Sequence, residues 1–185
     1  MALTFSTMLE LGSPAPGFSL LNTVSGKIVS LDQLKSNRAT VIMFISNHCP
    51  FVKHIQKELI RLANDYQSQG VHFIAISAND PQQYSEDGPV QMKTVAQSLD
   101  YPFPYLYDES QTVAKAYKAA CTPDFYIFDK NLQCVYRGRL DGSTPGNSVP
   151  VTGEDLRAAL DNLLAGRSID PNQKPSQGCN IKWRP

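Results

Sequence analysis

A strand–helix–strand pattern in the first half of the chain constrains the fold more than any other feature. Residues 39–46 (ATVIMFIS) form a continuous apolar, β-branched run, which is typical of a strand buried on both faces of a sheet. Residues 50–69 then place apolar side chains at helical spacing, with Pro50 as the first helical residue and Gly70 as the stop. Residues 71–77 (VHFIAIS) form a second apolar run. A helix between two such strands requires parallel pairing, so we predict a βαβ unit.

The remaining segments predict a mixed α/β protein in one domain. They comprise an N-terminal β-hairpin within residues 12–31, helices at residues 89–99 and 109–119, an antiparallel hairpin within residues 125–138, and a last helix at residues 152–164. Thr152 and Asp155 fit a capping box for the last helix. We therefore expect a single domain over residues 1–185, with a core at residues 12–165 and an extended C-terminal tail at residues 166–185. Its central mixed sheet would be flanked by helices.

Composition and charge exclude several classes of protein. The 185 residues are 42% hydrophobic, which is enough for a sizeable core. Lys plus Arg and Asp plus Glu both number 17, and this balance argues against nucleic-acid or membrane-surface binding. The first residues carry no targeting signal, and no stretch approaches the ~18 apolar residues of a membrane span. We expect a cytoplasmic protein, in which a disulfide would be transient and catalytic rather than structural.

Cys49 stands where the first strand of the βαβ unit turns into the helix. Free backbone N–H groups and the positive end of the helix dipole stabilise an anion at this position, which favours a thiolate nucleophile. His48, and Lys53 or His54 one turn later, would assist if their side chains turn inward. The alternative interpretation is that Cys49 is a small buried apolar residue.

Several segments around this cysteine resemble known proteins. Residues 44–53 (FISNHCPFVK) resemble the active-site corner of the thioredoxin-fold superfamily, and Thr122-Pro123 resembles its cis-proline loop. Residues 12–20, with Ala15-Pro16, resemble the start of the alkyl hydroperoxide reductase and thiol-specific antioxidant branch. Together with the tail segment GCNIKW, they resemble a peroxiredoxin-like subgroup of thioredoxin family proteins. The resemblance implies a thioredoxin-like fold, Cys49 as the nucleophile, and substrate binding by His48, Pro50, Thr122 and Pro123.

The sequence departs from the motifs of both thioredoxins and peroxiredoxins, and these differences decide the order of the function hypotheses. Val52 stands where thioredoxins carry the second cysteine of CxxC, so that dithiol is missing. Against the peroxiredoxin corner Ser46 fits, but Ile42 replaces a proline and Pro123 occupies the place of an arginine. A thiol–disulfide oxidoreductase is therefore the leading hypothesis and a peroxiredoxin-like thiol peroxidase the alternative. A redox sensor or binding module without turnover is the third.

Turnover requires a second thiol to release the mixed disulfide on Cys49. Cys121 directly precedes Thr122-Pro123, and Cys179 lies in the C-terminal tail after a glycine, so either is a candidate. Cys134, in the middle of a predicted strand, is most simply a core residue. Four cysteines allow three complete pairings, and the sequence does not choose among them.

The remaining constellations predict neither a metal nor another cofactor. His48, Cys49, His54 and Cys121 do not have the spacing of a metal-ligand set, and no glycine-rich phosphate loop is present. The expected partners are a protein or small-molecule disulfide, or a peroxide. Thioredoxin or glutathione is the expected reductant.

Overall fold

The computed structural model describes residues 3–185. Its strands are β1 (Leu3–Phe5), β2 (Ser19–Asn22), β3 (Ile28–Ser30), β4 (Ala39–Phe44), β5 (Val71–Ser77), β6 (Tyr105–Tyr107), β7 (Cys121–Thr122), β8 (Asp124–Asp129), β9 (Cys134–Gly138) and β10 (Gln177–Asn180). Its helices are α1 (Leu31–Leu34), α2 (Pro50–Gln67), α3 (Pro89–Ser98), α4 (Thr112–Ala116) and α5 (Glu154–Leu164). Met1 and Ala2, the first two residues of the segment in which a targeting signal was not expected, lie outside the described residues.

A seven-stranded mixed sheet forms the centre of the molecule, in the order β3-β2-β6-β5-β4-β8-β9. The predicted βαβ unit is confirmed, because β4 pairs in parallel with β5 and α2 connects them. On its other side β4 pairs antiparallel with β8, which places Phe44 opposite Asp124. The predicted mixed sheet flanked by helices is thus confirmed.

The helices cover both faces of this sheet because alternate side chains of β4 point to opposite faces. Val41 and Met43 belong to a core cluster with α2, α3 and α5, whereas Ile42 and Phe44 belong to a second cluster with α1 and α4. The corner that carries Cys49 follows directly from the end of β4. Within residues 3–185, no helix combines the length and the apolar character that crossing a bilayer requires.

A second, three-stranded sheet holds the C-terminal segment, which the sequence predicted as a tail. Strand β10 lies between β1 and β7 and pairs antiparallel with both. Trp183, beyond β10, packs against the second core cluster, and Lys115 lies over its ring. The segment is therefore an integral part of the fold.

Two local expectations differ from the structure. The helix predicted at residues 109–119 is shorter, because α4 spans only Thr112–Ala116. The capping box of α5 is wrong, because the N-cap is Gly153 and no side chain of the helix caps it. The carboxylate of Asp141 instead accepts hydrogen bonds from the backbone N–H groups of Thr152 and Gly153, at 2.8 and 2.7 Å.

Candidate active site

Cys49 is the N-cap residue of α2, and Pro50 follows it as the first helical residue. Its side chain is completely buried, with 0% of the residue exposed. The sulfur lies 3.1 Å from the backbone carbonyl oxygen of Thr122. The strand-to-helix corner predicted from the sequence is therefore present, and it faces the loop that carries Pro123.

The sulfur of Cys49 also contacts the sulfur of Cys179, at a distance of 3.0 Å. Strand β10 places Cys179 there, because Cys179 pairs with Thr122 of β7. Gly178 allows the close approach of the two strands, since a Cβ atom on it would lie 2.0 Å from the Thr122 carbonyl oxygen. Burial raises the pKa of the Cys179 thiol to about 12, and the hydrogen bond with Cys49 adds to the rise, whereas Lys182 opposes it.

The other two cysteines make different contacts. The sulfur of Cys121 lies 3.6 Å from the carbonyl oxygen of Pro123, and burial, followed by the charge of Asp124, raises its pKa far above the usual range. Cys134 packs in the second core cluster, where burial raises its pKa to about 11. Of the two candidate partners of Cys49, the structure brings Cys179 into direct sulfur contact.

The peptide bond between Thr122 and Pro123 is cis, as the resemblance implies. The hydroxyl of Thr122 forms a 3.2 Å hydrogen bond with the hydroxyl of Ser46, and its carbonyl oxygen contacts Cys49. The loop is thus tied to the corner at two points.

His48 turns away from solvent and is held by Asp87, a residue that the sequence analysis missed. Its Nδ1 lies 2.5 Å from the Asp87 carboxylate, and its ring stacks on Tyr84 with centroids 4.0 Å apart. Asp87 also accepts hydrogen bonds from the backbone N–H groups of Asn47 and His48. No local pattern signals this pairing, because Asp87 lies 39 residues from His48. His54, in contrast, bonds to Ser143.

Asp124 is the second buried acid that the sequence analysis missed. It follows Pro123 at the start of β8, and burial raises its pKa to about 7 despite a 3.0 Å hydrogen bond from the Tyr126 hydroxyl. A signal was present in the sequence, because an aspartate opens the apolar run FYIF. The charge of Asp124 contributes to the raised pKa of Cys121.

A surface groove of about 220 Å³ is lined by chain neighbours of Cys49 and Cys179, although neither cysteine itself lines it. Its walls include Phe51 and Ile55 of α2, Pro123 of the cis-proline loop, and residues 174–177, which lead into Cys179. The groove therefore borders each of the three segments that meet at the two sulfur atoms.

The geometry agrees with a family assignment from comparison with known proteins. The model of the AhpC/TSA family matches residues 11–137, which is more than half of the chain. The chain belongs to the AhpC/TSA family. This AhpC/TSA protein thus combines the family domain with a C-terminal segment that supplies Cys179, outside the matched range. No curated protein matches the chain.

Solved structures agree with this assignment. The chain is 63% identical to an uncharacterized conserved protein from Geobacillus kaustophilus, with a TM-score of 0.98 over 100% of this chain and 98% of that one. A hypothetical protein from Sinorhizobium meliloti 1021 is 44% identical, with a TM-score of 0.95 over 98% of both chains. The thioredoxin domain of a thiol-disulfide oxidoreductase from Bacteroides vulgatus is 17% identical, with a TM-score of 0.58 over 70% of this chain and 89% of that one. The last similarity confirms the thioredoxin-like fold.

Proposed function

We propose that this AhpC/TSA protein is a thiol–disulfide oxidoreductase in which Cys49 is the nucleophile and Cys179 the resolving cysteine. The observation that carries the proposal is the 3.0 Å contact between the two sulfur atoms. A disulfide requires an S–S distance of about 2.05 Å, so the two sulfur atoms need only a small approach. Cys121, the other candidate, directs its sulfur to the Pro123 carbonyl instead.

The reaction proceeds by two thiol–disulfide exchanges. The Cys49 thiolate attacks one sulfur of a substrate disulfide, which forms a mixed disulfide and releases the other substrate sulfur as a thiolate. The Cys179 thiolate then attacks Cys49 in the mixed disulfide and releases the second substrate thiolate. Two protein thiols are thereby oxidised to one disulfide, and one substrate disulfide is reduced to two thiols.

The surroundings of the two cysteines support this division of roles. Cys49 lies at the N-terminus of α2, where backbone N–H groups and the helix dipole stabilise a thiolate. Burial raises the pKa of Cys179 to about 12, so only a small fraction of it is thiolate at neutral pH. Cys179 is therefore a poor first nucleophile at neutral pH, and it acts once Cys49 in the mixed disulfide is a neighbouring electrophile.

The proposed substrate site is the groove that is lined by Phe51, Pro123 and residues 174–177. Pro123 and Phe51 supply apolar surface, and the exposed Pro50 lies at the head of α2. Thr122 and Pro123 carry the backbone along which a peptide or small-molecule disulfide would lie. The side chain of His48 is only 3% exposed, so the proposal assigns it to the support of the corner rather than to substrate contact.

The test is single-turnover reduction of an aromatic disulfide that releases a coloured thiolate. The reduced wild type is expected to release two equivalents in a fast phase. Cys179→Ser is expected to release one and to accumulate the mixed disulfide, and Cys49→Ser is expected to lose the fast phase. Cys134→Ser is the matched control and keeps both equivalents. A Cys49→Ser variant with the wild-type fast phase would refute the role of Cys49.

Peroxide reduction is a second candidate, because Cys49 is fully buried and attack on a small hydroperoxide requires less exposed sulfur than attack on a larger disulfide does. The Cys49 thiolate would attack the O–O bond and become a sulfenic acid, with release of an alkoxide or hydroxide that takes up a proton. Cys179 would then displace water to form the same disulfide. Mass spectrometry of Cys179→Ser after brief, dilute peroxide distinguishes the two functions: sulfenic acid formed faster than on free cysteine supports the peroxidase, and equal rates exclude it.

We propose thioredoxin or glutathione as the reductant and the cytoplasm as the compartment. A thioredoxin or glutathione reductant in the cytoplasm would return the Cys49–Cys179 disulfide to the dithiol. Persistent oxidation in the presence of both reductants would instead indicate a redox sensor.

A further inference from the structure

Asp87 is a buried carboxylate that fixes the turn immediately before Cys49. It accepts hydrogen bonds from the backbone N–H groups of Asn47 and His48 at 2.7 and 3.2 Å, from the His48 ring at 2.5 Å, and from the Asn79 amide at 2.9 Å. Burial acts to raise the pKa of Asp87, but these donors outweigh it and hold the pKa below the usual value. The charged form is thus fully engaged in holding the reactive corner.

Asn79 connects this carboxylate to the segment that carries Cys179. While its amide nitrogen donates to Asp87, its oxygen accepts a 2.8 Å hydrogen bond from the backbone N–H of Lys182. The Lys182 carbonyl oxygen in turn accepts from the backbone N–H of Asp80 at 2.9 Å. Asn79 is only 2% exposed, so these bonds form away from solvent.

We propose that Asn79 and Asp87 are positioning residues that hold the two cysteine-bearing segments in register, and that they thereby set the stability of the Cys49–Cys179 disulfide. The hydrogen bonds of Asp87 and Asn79 form a bridge between the two segments. One end of this bridge lies at residues 47–48, next to Cys49, and the other at Lys182, three residues after Cys179. The inference rests on the proposed function, because it presupposes that the two cysteines form a disulfide.

The physical reason is preorganisation. Closing a disulfide between two segments that already hold their sulfur atoms in contact requires little further loss of conformational freedom. When the bridge is cut, the segment after β10 gains freedom that it must lose again when the disulfide forms. The dithiol is then favoured over the disulfide.

The measured quantity is the equilibrium constant of the full chain with glutathione, in which protein dithiol and glutathione disulfide exchange to protein disulfide and two glutathione thiols. Asn79→Ala removes both hydrogen bonds of the bridge and is expected to lower this constant by about tenfold, which corresponds to about 30 mV for a two-electron couple. Asp87→Asn, which replaces an acceptor facing Asn79 and His48 by an amide, is expected to lower it in the same direction. It serves as the second variant if Asn79→Ala does not fold.

Ser36→Ala is the matched control, because it removes a buried hydroxyl near the opposite end of β4, where Ser36 donates to the Gly70 carbonyl and accepts from Arg38. It is expected to lower the stability of the fold and to leave the glutathione equilibrium unchanged. If the wild type forms the Cys49–Cys179 disulfide and both Asn79→Ala and Asp87→Asn keep the wild-type equilibrium constant, this inference is overturned and the proposed function stands. A wild type that forms no Cys49–Cys179 disulfide overturns the proposed function itself.

Discussion

Replacing Gly178 by alanine is expected to slow closure of the Cys49–Cys179 disulfide by about 100-fold or more without altering either thiol. A Cβ atom at this position would lie 2.0 Å from the Thr122 carbonyl oxygen and 2.7 Å from its carbonyl carbon. Because both are backbone atoms, strand β10 must move away from β7, and Cys179 moves with it. A displacement of about 1 Å at a reacting group costs about 100-fold in rate, and we expect a loss of at least that size in disulfide closure.

The rate of closure is measured as thiol loss after addition of one equivalent of a small disulfide to the reduced protein. Gly17→Ala is the matched control, since nothing lies within 4 Å of a Cβ atom at Gly17, and it is expected to close at the wild-type rate. Overpacking at Gly178 also costs about 1–3 kcal/mol of folding stability, so both variants are compared well below their unfolding temperatures. Closure of Gly178→Ala at the wild-type rate would show that the β7–β10 contact does not position Cys179.

Asp124→Asn is expected to become increasingly more stable than the wild type as the pH rises from 5 to 8. Burial raises the pKa of Asp124 from 3.8 to about 7, so the folded state binds a proton that the unfolded state has lost between these two values. The contribution of Asp124 to stability is therefore complete below pH 3.8 and is lost as the pH rises through 7. The rise in pKa corresponds to a loss of about 4 kcal/mol above pH 8.

The measurement is urea unfolding at pH 5 and pH 8, between which the wild type is expected to lose about 3 kcal/mol of stability relative to Asp124→Asn. Wild type and Asp124→Asn share all other titrating groups, so the change in their difference between the two pH values isolates Asp124. The amide oxygen keeps an acceptor for the Tyr126 hydroxyl, which donates to Asp124 in the wild type. Asp170→Asn is the matched control. Asp170 is exposed, and the amide oxygen of asparagine can still accept the hydrogen bond that the Asn172 backbone N–H donates to Asp170. The difference in stability between Asp170→Asn and wild type is expected to be the same at both pH values. An equal difference between Asp124→Asn and wild type at both pH values would mean that Asp124 is already ionised at pH 5 in the folded protein.

Most of the fold could be predicted from the sequence, because the strongest sequence signals are local. The apolar runs of β4 and β5 and the helical periodicity of α2 each lie within one contiguous segment, and their order forces parallel pairing. The position of Cys49 follows from the same pattern, since a residue between strand and helix must lie at the helix N-terminus. The cis-proline loop came from resemblance to the superfamily rather than from any physical pattern.

Local sequence patterns could not decide whether Cys121 or Cys179 is the partner of Cys49. Cys179 is 130 residues from Cys49, and its place depends on the pairing of β10 with both β1 and β7. Strand β10 contains glycine and polar residues, so neither alternation nor an apolar run marked it as a strand. The bridge through Asp87 and Asn79 was hidden for the same reason, because these residues meet the corner and the C-terminal segment only in the folded chain.

Peptide mapping of the oxidised protein tests the pairing of Cys49 with Cys179 most directly. The reduced full chain is treated with one equivalent of a small disulfide oxidant, alkylated, digested without reduction and analysed by mass spectrometry. The structure predicts that Cys49 and Cys179 are recovered as one disulfide-linked peptide pair, with Cys121 and Cys134 alkylated after denaturation. Recovery of Cys49 linked to Cys121, or of Cys49 alkylated while Cys179 pairs elsewhere, would contradict it.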